Sequence, residues 1–258
     1  MVEKDMFDLS GRVALITGGG SGIGRSLCEG MAEFGADVAI CDINEEWARE
    51  TAKLIGRFEH RTLVIKGDVS NPRDVEYLVS ETKAKLGTID ILINNVGIYL
   101  RESKIHEMVV EDWDRTMAVN LRGVFLCMRA VLPVMIKQKK GNIINISSAV
   151  GVSAIDPKSG QFISYQASKA AINIMTKQLA VERGPHNIRV NVIAPSFLST
   201  RLTDALIART GENMKRWIPL GRIGRPDEIR GAVVFLASEA SSYVTGQILC
   251  LDGGTTAW

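Results

Sequence analysis

The chain is poor in the residues that build metal centres and disulfide frameworks. Among its 258 residues there are only four cysteines and three histidines, and none of them occurs at the spacing of a zinc site. We therefore expect no metal. The cysteines are scattered through apolar patterns typical of helices and strands, so we interpret them as reduced core residues of a cytoplasmic protein. These cysteines are Cys28, Cys41, Cys127 and Cys250.

Net charge and long apolar runs are also scarce. The formal net charge is only +2, and the one basic block is residues 137–140, which argues against nucleic acid as a partner. No apolar run approaches the ~18 residues of a membrane span, and residues 1–8 lack the apolar core of a signal peptide. We therefore expect neither nucleic acid nor a membrane as a partner. With 46% hydrophobic and 23% charged residues, the composition is that of an average globular domain.

What the sequence does contain is a glycine-rich segment between a strand pattern and a helix pattern. Residues 13–16 form a continuous apolar run, typical of a strand buried on both faces. Residues 18–24 include five glycines, and from residue 23 to 34 the apolar residues recur at helical spacing. A strand, a glycine loop and a helix N-terminus together form a site for phosphate. A glycine-rich turn without a ligand is the alternative.

Strand and helix patterns alternate along the rest of the chain. The predicted strands cover residues 13–16, 37–42, 62–66, 90–94, 142–146, 189–194 and 247–251. The predicted helices cover residues 23–34, a segment that Asn44 caps, and residues 72–86, 110–138, 162–183 and 226–237, whereas residues 196–225 form an irregular, mobile stretch. This alternation predicts a single α/β domain over residues 1–258. We expect a Rossmann-like doubly wound fold, with helices on both faces of a seven-stranded parallel sheet in the order 3-2-1-4-5-6-7.

Several polar or small residues fall where the predicted strands end. In a doubly wound sheet the ligand lies outside these carboxyl ends, so their positions predict a binding site at this edge. The residues are Gly18, Asp42, Asp68, Asn94, Ser148 and Pro195.

Asp42 predicts the choice of cofactor. It ends the second strand, 18 residues after Gly24, where a dinucleotide-binding fold places a carboxylate on the adenosine ribose. A carboxylate there would repel a 2′-phosphate by ~4 kcal/mol per unit charge at ~4 Å and an effective dielectric constant of ~20. The sequence therefore favours NAD over NADP, although Arg25 and Arg49 are close enough in sequence to reach this region.

Tyr165 and Lys169 form the most chemically suggestive pair. Because they are four residues apart on a predicted helix, their side chains share one face. A neighbouring ammonium favours the phenolate and lowers the tyrosine pKa from ~10, so the pair can exchange a proton with a substrate. A solvated surface pair is the alternative.

Together these features resemble the short-chain dehydrogenase/reductase family, from about residue 9 to residue 254. The motifs that carry the resemblance are Thr17-Gly18 with Gly22-Ile23-Gly24, Asp68-Val69, Asn94-Asn95-Val96-Gly97, Asn120, Ser147-Ser148, Tyr165 with Lys169, and Pro226-Asp227-Glu228 after Gly224-Arg225. The resemblance implies an NAD(H)-dependent oxidoreductase that interconverts a secondary alcohol and a ketone by hydride transfer.

The resemblance also implies a role for each catalytic residue. Tyr165 would be the acid/base that exchanges a proton with the substrate oxygen, and Lys169 would lower its pKa and hold the nicotinamide ribose. Ser148 would hydrogen-bond the substrate oxygen, and Asn120 would hold a water molecule in the proton relay. The implied cofactor contacts are Gly18, Ser21, Gly22, Ile23, Gly24, Asp42, Asp68, Val69, Asn95, Gly97, Tyr165, Lys169, Pro195 and Phe197.

Either Ser147 or Ser148 could be the catalytic serine, and the sequence also differs from the family pattern at two places. We prefer Ser148 to Ser147 because Ser148 begins the Ser-x-x-Gly pattern that ends at Gly151, and Ser147 would instead satisfy a backbone group. The gap of 17 residues from Ser148 to Tyr165 is longer than usual in the family, with the extra residues around 156–160. Ser196 stands where a glycine is usual.

The substrate is expected to be apolar or cyclic. The resemblance places a specificity lid at about residues 196–219, and the alternative is that its apolar residues only anchor the lid. These residues are Phe197, Leu198, Leu202, Leu206, Ile207, Met214, Trp217 and Ile218, with Tyr99 and Leu100 nearby. A sugar or polyol dehydrogenase and a 3-oxoacyl thioester reductase are alternative functions. An NAD-sensing scaffold, and an epimerase or lyase that uses the nicotinamide transiently, are alternatives of other classes.

The two long central helices predict an oligomer. They carry more apolar residues than a face packed on a sheet needs, and relatives pair these helices. We therefore expect a homotetramer with two-fold interfaces. The surplus apolar residues are Val124, Met128, Ala170, Ile174 and Met175.

Overall fold

The computed structural model describes residues 5–154, 162–201 and 203–257. Within them, seven parallel strands form one sheet in the order β3-β2-β1-β4-β5-β6-β7. The strands are β1 Val13–Thr17, β2 Asp37–Asp42, β3 Thr62–Lys66, β4 Ile91–Asn94, β5 Gly141–Ile146, β6 Ile188–Pro195 and β7 Ile248–Leu251. This confirms the predicted topology. The strand bounds differ from the sequence prediction by about one residue, because pairing with a neighbouring strand rather than hydropathy decides where a strand ends.

Helices cover both faces of the sheet, as predicted. They are α1 Gly22–Glu33, α2 Glu45–Ile55, α3 Pro72–Leu86, α4 Val110–Met117, α5 Gly123–Gln138, α6 Ile163–Arg183, α7 Asp204–Trp217 and α8 Ile229–Ala237. Successive residues of β1 show how the faces divide. Leu15 belongs to the cluster that packs under α3, α5 and α6, and Ile16 to the cluster under α1, α2 and α8. Both are fully buried, as expected for a doubly wound sheet.

Helices begin at or near the three residues that we expected to start them, Asn44, Pro72 and Pro226. The Asn44 side chain accepts a hydrogen bond from the Trp47 N–H at 3.2 Å and caps α2. Pro72 is the first residue of α3, after an Asn71 cap, where its missing N–H costs nothing. The helix predicted to begin at Pro226 opens as a short 3-10 turn, Pro226–Glu228, before α8.

The long central helical run contains an irregular turn. Residues Ala118–Arg122 form a π-helical segment between α4 and α5, so residues 110–138 are helical throughout, as predicted. Contrary to our expectation from the sequence, this run is long and apolar enough to span a membrane, with a mean hydropathy of 1.6 in its most apolar window. Val124, Cys127 and Val131 are nevertheless buried in the cluster beneath the sheet. The run is therefore built as a core helix of this domain.

The stretch after β6 is more regular than the sequence suggested. Residues 196–225 were expected to be irregular and mobile, but they contain helix α7. Leu206 and Met214, eight residues apart and both buried, lie on the same side of this helix and hold it to the domain. The long loop at 156–160 and Leu202 lie outside the described residues.

Two of the apolar residues that we expected at an oligomer interface are buried in the core instead. Val124 and Met128 are each only 5% exposed, so they belong to the core and offer no surface for a partner. Ile174 is 64% exposed and Phe125 is 48% exposed, so the apolar surface on these helices is real but smaller than the sequence suggested.

Candidate active site

The carboxyl ends of the parallel strands bring the sequence-predicted residues to one edge of the sheet. Asp42, Asn94 and Pro195 are the last residues of β2, β4 and β6, and Gly18 directly follows β1. Ser148 lies two residues beyond β5. The sheet topology, rather than local sequence, makes these residues neighbours.

The glycine loop requires glycine at several positions. Gly18 and Gly22 have backbone φ angles of +65° and +52°, which side chains disfavour. A Cβ on Gly24 would overlap the Gly18 carbonyl oxygen and lie 2.7 Å from the Asn95 Nδ2. Ser21 precedes α1 without a side-chain cap, and the first turn of α1 has no acidic residue. The N-terminal N–H groups and the helix dipole are thus left for an anion.

Asp42 is held beside this loop by the backbone. It is only 8% exposed. Its Oδ2 accepts a hydrogen bond from the Gly20 N–H, and its Oδ1 accepts one from the Asn44 N–H, both at 2.9 Å. Because each carboxylate oxygen can accept a second hydrogen bond, Asp42 retains the capacity to bind two ribose hydroxyls.

The two arginines considered as phosphate ligands are engaged elsewhere. The Arg25 guanidinium donates to the Gly20 carbonyl and pairs with Glu50, each at 3.0 Å. Arg49 forms an ion pair with Glu45 within α2. Both guanidinium groups therefore already bind acceptors, either carboxylates of α2 or the Gly20 carbonyl of the glycine loop.

The Asp68 side chain lines a cavity, whereas the Val69 side chain is buried. Asp68 accepts hydrogen bonds from the Ser70 N–H and hydroxyl at 2.8 and 2.7 Å, and it lines a cavity of about 410 Å³ together with Ile43. Val69 is only 5% exposed, and its side chain packs where a Cβ on Gly123 would otherwise lie. The Val69 side chain is thus part of the core.

Asn95 and Gly97 connect the glycine loop with the helix that carries the tyrosine. The Asn95 side-chain amide donates to the carbonyls of Thr17 and Gly18 at 3.1 and 3.0 Å, so it fixes the shape of the loop. A Cβ on Gly97 would lie 3.2 Å from the Lys169 Nζ. The backbone at Gly97 therefore lies directly against the lysine.

Ser148, Tyr165 and Lys169 form one cluster. The Ser148 and Tyr165 hydroxyls share a hydrogen bond. The Lys169 Nζ donates to the Ile146 carbonyl at 2.8 Å and lies 5.5 Å from the centre of the Tyr165 ring. Lys169 is only 2% exposed, which excludes the alternative of a solvated surface pair.

Burial controls the protonation of this cluster. It raises the pKa of Tyr165 to about 12, although the hydrogen bond with Ser148 opposes the rise. It lowers the pKa of Lys169 to about 8. We expected the lysine to lower the tyrosine pKa, but burial of the phenol sets the direction of the shift in this structure. Tyr165 is thus a neutral phenol near pH 7, able to donate a proton.

The two serines have different contacts. We expected Ser147 to satisfy a backbone group at a strand end; its hydroxyl instead donates to the Lys169 carbonyl within α6 at 2.9 Å. The Ser148 hydroxyl donates to the Pro195 carbonyl at 3.3 Å and meets Tyr165. Gly151 allows this turn to pack on α6, because a Cβ there would lie 2.8 Å from the Lys169 Cβ.

Asn120 lies inside the π-helical turn and is fully buried. Its Oδ1 accepts from the Ile98 N–H, and its Nδ2 donates to the Ile98 carbonyl, both at 2.8 Å. The Nδ2 also lies 3.2 Å from the Ser168 hydroxyl, and Ser168 donates to the Tyr165 carbonyl at 2.7 Å. Asn120 therefore joins the loop after β4 to the helix of the tyrosine. Ser168 was missed in the sequence, where its only signal is its place beside Lys169.

An apolar cluster surrounds the exposed side of Tyr165. The Tyr99 ring lies 5.4 Å from the Phe162 ring and 6.4 Å from the Tyr165 ring, edge to face in both cases. Four lid residues and Ile223 complete the cluster, so apolar residues of the lid both anchor α7 and pack beside the tyrosine. The members are Tyr99, Phe162, Tyr165, Phe197, Leu206, Ile207, Met214 and Ile223.

Other lid residues lie apart from this cluster. Leu198 is buried against Gly224, Ile218 packs on Gly253, and Trp217 is 50% exposed. Ser196, where a glycine is usual, donates its N–H to the Leu251 carbonyl at 3.1 Å. Its backbone lies outside the left-handed region, so a serine is accommodated there without strain.

Metal-ligating side chains do not gather in the part of the chain that the structure describes. No group of three or more histidine, cysteine or acidic residues there could hold a metal ion. All four cysteines are free thiols, and Cys28, Cys41 and Cys127 are buried.

Comparisons with known proteins agree with this geometry. A family model described as enoyl-(acyl carrier protein) reductase matches residues 18–256. The chain is 42% identical over 250 residues to the 3-oxoacyl-(acyl-carrier-protein) reductase FabG of Thermotoga maritima, and the match covers 95% of this chain and 98% of the relative. It is 40% identical over 255 residues to the NAD-dependent glycerol dehydrogenase of Listeria innocua, covering 98% of this chain and 97% of the relative.

Solved structures show the same similarity. A short-chain type dehydrogenase/reductase from Mycobacterium marinum superposes with a TM-score of 0.95 at 38% identity, covering 98% of this chain and 99% of the other. A gluconate 5-dehydrogenase from Burkholderia cenocepacia, in complex with NADP and tartrate, gives a TM-score of 0.92 at 39% identity, covering 98% of both chains. The sheet order, the glycine loop and these matches agree, and the chain belongs to the short-chain dehydrogenase/reductase family of oxidoreductases.

Proposed function

We propose that this protein is an NAD(H)-dependent enzyme that interconverts a secondary alcohol and a ketone, on an apolar or cyclic substrate. The observation that carries the proposal is the hydrogen-bonded Ser148–Tyr165 pair beside the buried Lys169, at the same sheet edge as the glycine loop. When bound, the nicotinamide supplies or accepts the hydride. The protein residues position the reactants and move the proton.

Each residue of the cluster has a proposed role. Tyr165 donates a proton to the ketone oxygen in reduction and accepts it from the alcohol in oxidation. Ser148 hydrogen-bonds the same oxygen, a role that its contact with Tyr165 supports. Lys169 holds the nicotinamide ribose and biases the phenol toward its ionised form. Asn120 holds a water molecule that completes the proton relay behind Lys169.

The proposed cofactor is NAD, held along the sheet edge. The glycine loop and the N-terminus of α1 would bind the pyrophosphate, and Asp42 the adenosine ribose. The full set of proposed contacts is Gly18, Ser21, Gly22, Ile23, Gly24, Asp42, Asp68, Val69, Asn95, Gly97, Tyr165, Lys169, Pro195 and Phe197. Val69 would contribute its backbone, since its side chain is in the core.

Asp42 supports NAD over NADP. Its carboxylate faces the loop, and the nearby Arg25 and Arg49 are matched by Glu50 and Glu45. The glycerol dehydrogenase relative is described as NAD-dependent, whereas the gluconate dehydrogenase structure holds NADP, so kinetics must decide. We expect kcat/KM to be higher with NAD than with NADP. In the Asp42→Ala variant the ratio of these two kcat/KM values should be smaller. A higher kcat/KM with NADP in the unaltered protein would refute the assignment.

The aromatic and aliphatic cluster around Tyr165 supports an apolar substrate. Its side chains are aliphatic or aromatic, and a buried apolar wall discriminates against polyols because their hydroxyls would lose water without gaining partners. The similarity to the glycerol dehydrogenase and to the 3-oxoacyl reductase keeps polyols and acyl thioesters in the substrate panel.

The first experiment measures NADH formation on alicyclic, aromatic, polyol and hydroxyacyl secondary alcohols. Turnover by the unaltered protein, abolished in Tyr165→Phe while NADH binding persists, supports the proposal and ranks the substrate classes. NAD binding without turnover on any substrate contradicts it and favours a cofactor-sensing scaffold. Substrate conversion without net NADH favours an epimerase or lyase.

We also propose a cytoplasmic homotetramer. The exposed apolar residues Phe125, Ile174 and Val181 lie on α5 and α6, where a partner would cover them. The four free thiols suit a reducing compartment. Sedimentation as a monomer at micromolar concentration would refute the tetramer, and recovery in a secreted fraction would refute the location.

A further inference from the structure

The lid reaches across the glycine loop to the helix on its far side. The side chain of Thr200 lies against the loop, where a Cβ on Gly22 would be 3.3 Å from the Thr200 Cβ. The next residue, Arg201, places its guanidinium carbon 5.0 Å from the centre of the Trp47 ring. Trp47 belongs to α2. A contact between Arg201 and Trp47 therefore spans the cleft in which we place the dinucleotide.

Trp47 is fixed relative to the glycine loop. A Cβ on Gly20 would lie 2.8 Å from both the Trp47 Cβ and the Asp42 Oδ2, so the tryptophan stands beside the carboxylate assigned to the ribose. Asn44 caps the start of α2 through the Trp47 N–H. The base of the Trp47 side chain is thus held beside the carboxylate that we assign to the adenosine ribose.

The lid segment that carries Arg201 is also fixed. Leu198 is only 4% exposed. The Ser199 N–H donates to the Gly224 carbonyl at 3.0 Å, and the Thr203 hydroxyl contacts both the Thr200 N–H at 3.0 Å and the Leu198 carbonyl at 2.5 Å. This turn therefore moves as one body with the start of α7.

Arg201 is the arginine whose contact crosses the cleft. Arg25 and Arg49, which also border the loop, pair with Glu50 and Glu45 on α2. Arg201 instead comes from the lid and stacks on an aromatic face, which attracts a guanidinium without neutralising its charge. It therefore adds positive charge beside the glycine loop, where we place the pyrophosphate.

We propose that Arg201 is a positioning residue for the cofactor: stacked on Trp47, it fastens the lid over the pyrophosphate and adenosine half of the dinucleotide. Release of the dinucleotide then requires this contact to break. The proposal rests on the proposed NAD(H) function, because it gives the same cleft a closing element.

The test measures the rate at which NADH leaves the protein, by fluorescence after mixing the NADH complex with excess NAD. Arg201→Met keeps the length of the side chain and removes its charge. Because a cation–π contact at a partly exposed site contributes a few-fold to an equilibrium, we expect dissociation to be about two- to fivefold faster. Trp47→Leu should give a similar increase. The double variant should be no faster than the faster single variant, since both remove one shared contact.

Two further variants make the test specific. Arg201→Lys retains a cation and should restore part of the slow release. Arg216→Met removes an exposed arginine from the last turn of α7, the helix that follows Arg201, and should leave the rate unchanged.

The outcomes separate this inference from the proposed function. Release from Arg201→Met at the unaltered rate would overturn the inference alone, as would an Arg201 effect that Trp47→Leu does not share. Failure of the unaltered protein to bind NADH would overturn both. Faster release in both single variants, in a protein that turns over no alcohol, would support the contact and reject only the substrate chemistry.

Discussion

Replacing Lys169 with methionine should abolish activity and yet stabilise the folded protein. Lys169 is only 2% exposed, and burial lowers its pKa from the usual 10.5 to about 8. At pH 7 the folded protein therefore still carries a charged ammonium, in a site where the charge is less stable than it is in water. Methionine has a similar length and carries no charge.

The magnitude follows from the pKa difference. Each pH unit between 10.5 and about 8 corresponds to ~1.4 kcal/mol, so the buried charge costs about 3 kcal/mol at pH 7. The substitution also removes the hydrogen bond from Nζ to the Ile146 carbonyl, which costs ~1 kcal/mol. We expect a net gain of about 2 kcal/mol in the free energy of unfolding at pH 7.

The gain should depend on pH with a defined sign. The folded-state pKa of Lys169 is lowered, so the unfolded chain binds more protons between about pH 8 and 10.5, and the unaltered protein gains stability across that window. At pH 9.5 the cost of the charge falls to about 1 kcal/mol, and the advantage of the methionine variant should nearly vanish.

Urea unfolding at pH 7 and pH 9.5 tests this account. The matched control is Lys177→Met, which changes an exposed lysine on the same helix and should alter stability by less than ~0.5 kcal/mol at either pH. Two results would refute the reasoning. One is a Lys169→Met variant that is less stable than the unaltered protein at pH 7. The other is a stability difference between the two proteins that is the same at pH 7 and pH 9.5.

Three other substitutions or conditions test the site. Because burial raises the pKa of Tyr165 to about 12, kcat/KM for alcohol oxidation, which needs the phenolate, should rise about tenfold per pH unit from pH 7 to 9, and a flat profile would contradict this. Gly24→Ala should abolish NADH binding measured by fluorescence, whereas Gly231→Ala, in a helix with open space around it, should bind normally and gain up to ~1 kcal/mol. Ser148→Ala should lower kcat by about 10²-fold or more, whereas Ser147→Ala should keep kcat and lose ~1 kcal/mol of stability, and equal effects on kcat would reject our choice between them.

The fold was predictable because its signals are local and repeated. The apolar strand patterns and the glycine loop after β1 define a doubly wound sheet, and the rule that ligands lie beyond the strand ends then collects Asp42 and Ser148. The bounds of helix α7 were not predicted because its buried apolar residues Leu206 and Met214 are sparse, and the helix is stabilised by packing on the domain rather than by its own pattern.

Contacts between distant residues were not predictable. Trp47 and Arg201 are separated by more than half of the chain, and nothing near either residue indicates the other. The rise in the pKa of Tyr165 was not predictable for a related reason: the spacing to Lys169 is visible in the sequence, whereas the burial that raises the pKa depends on Tyr99 and the lid. Val124 and Met128 were taken for surface because a count of apolar residues does not say which side of a helix meets the sheet.

The π-helical turn at Ala118–Arg122 constrains how the length of this chain can change. Thr116, Asn120 and Val124 are buried at successive intervals of four residues, and in an uninterrupted α-helix two such intervals would carry the face about 80° around the axis. The wide turn absorbs that drift. Deleting one residue there would convert the turn to ordinary α-helix, in which seven residues turn by about 700°, within about 20° of two full turns. Helices α4 and α5 would keep their relative orientation, but the wide turn that places Asn120 against the Ile98 backbone would be lost. Single-residue deletions should therefore be absent from this turn in functional variants, even where the exposed ends of α4 and α5 tolerate them.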